Sequence, residues 1–314
     1  MFIDNRTPYA VRTMAVPCSA TRTIAFATYR ASYQLSASGL VPGEILPAQA
    51  DRLSALPSCI GTSWSLTGTA EAPRATPELR AEVRVSSRPA VTLAVIGDRV
   101  WRRRGGALCP SDPAPFQRMS LGSERAFGGT VRIPPGERDG LPHPAMQVRH
   151  AANPRGRGYF LTAESAEGSP CPNLEFADSL LGPWPREPDP AVLAPDDSQL
   201  FTRLPEGGKQ LETEPEIAAA RVCHPGHWRT FGAPLRPGDP LAFIGFRRDA
   251  LAFSLPSAPA QVELRQGRKW HPVGFHARHI YVALDQARIE IRFGHSASYS
   301  IDQPVTDMRI REKN

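Results

Sequence analysis

The sequence predicts a mainly β protein, with antiparallel sandwich- or barrel-like sheets, a long Pro/Gly-rich irregular middle and only short helices. Two observations carry this prediction. The 314 residues include 33 prolines and 25 glycines spread along the chain, and proline breaks helix interiors, so long helices and helical bundles are excluded. Short runs that alternate apolar and polar side chains, rich in β-branched and aromatic residues, recur between turn residues, which is the pattern of half-buried strands. Hydrophobic residues at 41% and charged residues at 22% match a folded globular chain and argue against disorder throughout. The length allows one large domain or two ordinary ones. We read residues 1–314 as one domain with an N-terminal β part at 1–104, an irregular middle at 105–205 and a C-terminal β part at 206–314.

The elements follow in order. Residues 26–33, Phe-Ala-Thr-Tyr-Arg-Ala-Ser-Tyr, alternate as one strand. Residues 83–85 and 91–96 form a meander across a Pro-containing turn, and Gly97-Asp98 turns into Val100-Trp101. Between 105 and about 205 the chain is dense in Pro, Gly, Asp and Arg, which favour turns over ladders. Ordered but irregular segments are expected there, pinned by Phe116, Phe127, Tyr159, Phe160, Phe176 and Trp184. Residues 213–221 carry an N-terminal acid, a proline in the first turn and three alanines, a short helix stopped by Pro225. Residues 241–246, 251–255 and 262–264 repeat the strand pattern. Residues 279–284 and 288–293 alternate around Asp285-Gln286, a hairpin signal.

Charge narrows the function classes. The net charge is +6 and the isoelectric point about 9.3, but the cations are dispersed, and only Lys209, Lys269 and Lys313 are lysines. The one dense run, Arg102-Arg103-Arg104, lacks interleaved aromatics for base stacking, so a solvated loop or an acidic partner fits better than nucleic acid. Cys18, Cys59, Cys109, Cys171 and Cys223 are widely spaced without a CxxC pair, which points weakly to a reducing compartment. The opening residues hold an acid and a proline where a secretory signal needs an apolar run, and no stretch approaches a membrane helix. A soluble, cytoplasmic protein is expected, with no membrane contact.

Chemistry-bearing motifs are few. Cys223, His224 and His227 are the best metal-like cluster, with His271, His276 and His279 a looser group, but neither has closed tetrahedral spacing, and no metal or other cofactor is expected. Asp196-Asp197 reads as solvated acids, since adjacency is not an arrangement across a substrate. There is no GxSxG elbow, P-loop or HExxH. Gly105-Gly106 and Gly128-Gly129 answer turn requirements more simply than phosphate binding.

One stretch is distinctive. Residues 115–129, Pro-Phe-Gln-Arg-Met-Ser-Leu-Gly-Ser-Glu-Arg-Ala-Phe-Gly-Gly, follow residues 95–101, Val-Ile-Gly-Asp-Arg-Val-Trp, and precede residues 153–159, Asn-Pro-Arg-Gly-Arg-Gly-Tyr, and residues 172–175, Pro-Asn-Leu-Glu. This ordered set resembles the signature of domain-of-unknown-function family 2169, a bacterial family found with type VI secretion genes. The opening Asn5-Arg6-Thr7-Pro8-Tyr9 and the hairpin at Asp285 are similar to that family's two ends. Gln117, Ser120, Ser123 and Ala152 depart from its usual Glu, Pro, Tyr and Arg. The resemblance implies a non-enzymatic adaptor or chaperone, without catalytic residues, that places an effector protein on a PAAR-type or spike tip protein before export. It directs attention to Phe116, Arg118, Met119, Glu124, Arg125, Phe127, Gly128, Gly129, Asn153, Pro154, Gly156, Arg157, Gly158, Asn173 and Glu175. Either Glu124 and Arg125 present charge to a partner on a glycine-permitted bend, or Glu124 pairs inside with Arg118 or Arg157 and the motif braces the fold. The alternative function is a β-rich hydrolase or secreted toxic effector using acids such as Glu124, Asp196 or Asp197.

Overall fold

The computed structural model describes residues 2–17, 21–36, 39–44, 62–86, 88–138, 141–193 and 235–313. Of the described residues 57% are strand and 4% helix, so the architecture rests on sheets. The largest has six strands. Arg12–Pro17 pairs with the long strand Arg22–Ser36, which also pairs with Gly39–Pro42, and Arg22–Ser36 continues to Arg288–Ser300, His276–Ala283 and Ser63–Thr67. All these pairings are antiparallel except the last, where His279 lies opposite Ser63 in a parallel ladder. A five-stranded antiparallel sheet runs Leu174–Phe176, Arg88–Ile96, Glu78–Val85, Pro240–Ile244 and Leu251–Ser254. A four-stranded sheet joins Phe2–Arg6, Val305–Glu312, Ala260–Gln266 and Lys269–Val273. These sheets stay open among the described residues, so the layers are sandwich-like and not a barrel. Strands from 1–104 and from 206–314 share ladders in both larger sheets, which knits the two β parts together.

Alternation decides which faces meet. Tyr29, Ala31, Ile289, Ile291, Phe293, Ile280, Val282, Trp64 and Leu66 turn inward from the six-stranded sheet. They join Val83, Leu93, Val95, Leu241, Phe243, Val262, Leu264 and Ile310 in one core, because successive strand side chains point to opposite faces and the apolar set must be covered. Tyr29 stacks on Phe293 with ring centroids 5.5 Å apart and takes Phe275 edge-on at 4.7 Å. The Asp285 hairpin forms as expected. A short 3-10 turn, Leu284–Gln286, closes it, with Ala287 left-handed at φ 48°.

The middle is less irregular than its prolines suggest. It holds short paired strands: Trp101–Arg104 with Ala107–Pro110, Phe116–Ser120 with Thr69–Thr76, Phe127–Gly128 with Arg157–Gly158, and Thr130–Ile133 with Met146–Arg149. The prolines sit mostly between these pairs, where no ladder donor is needed. The Arg102–Arg104 run is therefore an exposed strand and not a loop, turning at Gly105-Gly106, with Arg103 3.5 Å from Glu164 and 2.9 Å from Glu167, and Arg104 3.0 Å from Asp112. Trp101, Leu108, Phe127, Ala166, Cys171 and Leu181 build a second, smaller core. Its helix is Ala163–Ala166, capped by the Thr162 hydroxyl, which accepts from the Ser165 amide. The helix expected at 213–221 lies outside the described residues.

Candidate functional site

The four distinctive segments, scattered from 95 to 175 in sequence, meet in one polar knot between the five-stranded sheet and the second core. Asn173 is its centre and is fully buried. Its side-chain amide donates to the Ile96 carbonyl at 2.9 Å and to Asp98 Oδ1 at 3.1 Å, and its Oδ1 accepts from Arg125 Nη1 at 3.1 Å and Arg157 Nη1 at 3.2 Å. Its backbone N–H meets the Arg125 carbonyl at 2.7 Å and its carbonyl takes the Ile96 N–H at 2.7 Å. All its polar groups are bonded, as a buried amide requires. Burial and the neighbouring Arg125 charge both lower the Arg157 pKa.

Glu175, two residues on, is also fully buried. Arg99 Nη2 donates to one carboxylate oxygen and to the Pro172 carbonyl at 2.8 Å, while the other oxygen takes the Leu181 N–H at 2.7 Å. A buried charge pair of this kind is stable only when its remaining lone pairs are satisfied. The same environment pushes the Cys171 thiol up to about 12, chiefly through burial, so it is an inert packing residue.

Asn153 is the second hub. Its side-chain amide donates to the Ser123 carbonyl at 2.8 Å and the Phe127 carbonyl at 3.1 Å, and its backbone carbonyl accepts from Gly129 N–H at 2.8 Å and Gly156 N–H at 3.2 Å. The glycines here answer crowding. Gly128, at φ 142°, faces the Asn153 carbonyl so closely that a Cβ would overlap it, and a Cβ on Gly156 would lie 2.6 Å from the Ala126 oxygen.

The remaining predicted residues fall around this knot. Phe116 packs on the main core and Met119 is buried within it. Arg118, opposite Glu71 across the Phe116–Ser120 ladder, pairs with that residue at 3.1 Å, and Glu71 also meets Arg247 at 3.5 Å. The Glu124 carboxylate is therefore not engaged by Arg118. It accepts the Ser120 hydroxyl at 3.3 Å, and Arg157 Nε reaches the Glu124 backbone carbonyl at 2.9 Å. Phe127 fills the second core, and the Pro154 carbonyl accepts the Thr130 hydroxyl at 2.9 Å. Cys223, His224, His227, Asp196 and Asp197 lie outside the described residues. Among the described residues no group of three or more His, Cys, Asp or Glu gathers at metal-binding geometry.

The knot roots an arm. After Gly129 the chain leaves as Thr130–Ile133 and returns to His150 as Met146–Arg149, a two-stranded ribbon closed at its base by the His150 N–H to Gly129 carbonyl bond at 2.9 Å. His150 lies edge-on to Phe127 and Tyr159, centroids 5.3 and 5.2 Å away, and its Nδ1 accepts the Asn153 N–H at 3.2 Å. The proton of the neutral ring is therefore on Nε2, and burial lowers its pKa. Val131 lies opposite Val148 and Ile133 opposite Met146, so these four share one face of the ribbon. None of them belongs to either core.

A second constellation, invisible in the sequence, joins strands more than two hundred residues apart. Ser63 Oγ donates to the Arg278 carbonyl at 3.0 Å and lies 2.8 Å from His279 Nδ1, and Ser65 Oγ lies 2.8 Å from Nε2. Ser63 has a single hydroxyl proton, already given to Arg278, so Nδ1 must carry the ring proton and Nε2 must accept from Ser65. The order of bonds is that of a nucleophile, a base and an orienting group. Burial, helped by Arg292, pushes the imidazole down to about 3, and Ser63 and Ser65 are themselves buried. A base so weak is poorly matched to proton abstraction near neutral pH. The arrangement locks the register of the parallel strands.

The family described as "Uncharacterized protein conserved in bacteria (DUF2169)" matches residues 47–293. The chain belongs to DUF2169. The matched span contains the knot, the arm and the whole five-stranded sheet, and leaves out Arg12–Pro17, Arg22–Ser36 and Gly39–Pro42 of the six-stranded sheet as well as the Phe2–Arg6 and Val305–Glu312 pair. No curated protein and no solved structure matches this DUF2169 chain. No helix among its described residues is long and apolar enough to cross a membrane.

Proposed function

We propose that this DUF2169 chain is a non-enzymatic cytoplasmic adaptor or chaperone that binds a type VI secretion effector, or its PAAR-type or spike tip protein, and promotes loading for export. The observation that carries this reading is the use made of the distinctive residues. Asn153, Asn173, Glu175, Gly128 and Gly156 are spent on holding four segments together beneath a projecting ribbon whose apolar side packs on neither core. A rigid base that presents a free apolar surface suits partner binding, since a scaffold that fixes its contact element in advance lowers the ordering cost of association. The motif resemblance supports the secretion context.

The test is co-purification and delivery. Tagged protein should bring down a toxin or PAAR-type protein encoded beside its gene, and deletion should abolish delivery of that toxin alone. Normal delivery in the deletion strain overturns the reading. Toxicity on expression that Glu124→Gln removes would favour the hydrolase or toxin alternative instead.

A further inference from the structure

We infer that the arm, Thr130–Ile133 paired with Met146–Arg149, takes an extended partner strand that alternates apolar and acidic side chains. The inference rests on the adaptor reading for its biological partner but on the arm alone for its chemistry. Three properties of the ribbon define the occupant.

Its first face is apolar. Val131, Ile133, Met146 and Val148 lie side by side, with Met146 49% exposed and the other three half-buried, and none of them packs against either core. A two-stranded ribbon in water is marginal by itself and gains from a third strand or a covering layer. The opposite face carries Thr130, Arg132, Gln147 and Arg149. Arg132 and Arg149 are exposed and form no ion pair among the described residues, the only side-chain bond of Arg149 being to Gln147 at 3.3 Å. Finally, among the described residues the ribbon is a sheet of two strands only, so each strand has an outer edge of backbone groups that no described strand pairs.

A strand added to such an edge places its side chains alternately on the two faces. Complementarity then demands apolar residues at every second position, beside Val131 or Val148, and acids between them, beside Arg132 or Arg149. Pro134, Pro135 and Pro144 bound the ladder, because proline supplies no donor, and so confine docking to the segment next to the knot.

The experiment uses the full chain and two short capped peptides, one alternating Val and Glu and the other alternating Val and Lys. Hydrogen exchange should show that the Val/Glu peptide protects amides within 130–133 or 146–149, with affinity about tenfold above that of the Val/Lys peptide. The double variant Arg132→Glu, Arg149→Glu should reverse that preference, and Val131→Ser, Val148→Ser should weaken both peptides. Equal binding of the two peptides, protection confined to other strands, or an unchanged preference in the charge-reversed variant overturns the inference. The two readings fail separately. A toxin that still co-purifies with the charge-reversed chain refutes the arm and spares the adaptor, whereas peptide protection without a co-purifying toxin does the opposite.

Discussion

Arg99 and Glu175 form a largely buried ion pair, the arginine side chain 9% exposed and the carboxylate fully buried. It ties the segment at 95–101 to that at 172–175, where Leu174–Phe176 enters the five-stranded sheet. Removing one member leaves an uncompensated buried charge, so Glu175→Ala and Arg99→Ala should each cost about 3–5 kcal/mol. Glu175→Gln keeps an acceptor for the Leu181 N–H and should cost less. Denaturant unfolding of the three variants checks the order, and an Ala variant as stable as the parent would remove the pair from any bracing role.

Gly128 and Gly105 separate crowding from backbone preference. Both have positive φ, 142° and 56°, but a Cβ at 128 overlaps the Asn153 carbonyl whereas one at 105 meets nothing within 4 Å. Gly105→Ala should cost about 1 kcal/mol, the ordinary left-handed penalty. Gly128→Ala should cost more than about 3 kcal/mol, since the hub must move. Thermal melts showing equal losses would mean that the knot yields freely.

The sequence told more about faces than about partners. Ile289, Ile291 and Phe293 alternate with Arg288, Glu290 and Arg292, so that strand and its buried side were legible from period alone. Its pairing with Arg22–Ser36 was not, because nothing local encodes a ladder between residues so far apart. The same distance hid Ser63, Ser65 and His279. The arm was missed for another reason. Its strands have four residues each, too few to show a period beside Pro134, Pro135 and Pro144. The knot was legible as a motif and illegible as geometry. Glu124 looked like the partner of Arg118, yet Glu71 holds that arginine through a strand pairing that sequence order does not reveal.

His279 makes stability depend on pH. The imidazole is pushed from 6.5 down to about 3 in the fold. Below pH 6.5 the unfolded chain takes up a proton that the folded chain refuses, so this group's contribution, complete above 6.5, is lost as pH falls towards about 3. The loss should reach at most about 1.4 kcal/mol per pH unit. His279→Gln removes the titration while keeping polar atoms beside Ser63 and Ser65. Unfolding free energies from pH 7 to 4 should therefore fall more steeply for the parent than for the variant, and parallel curves would show that the imidazole titrates normally.

Excising the arm distinguishes a docking element from a folding element. The His150 N–H to Gly129 carbonyl bond already brings the two ends together, so Thr130–Arg149 can be replaced by Asn-Gly, a pair suited to a tight hairpin turn. No apolar side chain of the paired ribbon enters either core. The main bond lost at the root is Thr130 Oγ1 to the Pro154 carbonyl at 2.9 Å, a contribution of about 1 kcal/mol. The shortened chain should fold with a stability within about that margin of the parent, retain the slow amide exchange of the five-stranded sheet, and lose toxin co-purification. A drop of several kcal/mol would make the ribbon part of the folding unit, because buried apolar contact is the only term large enough to account for it.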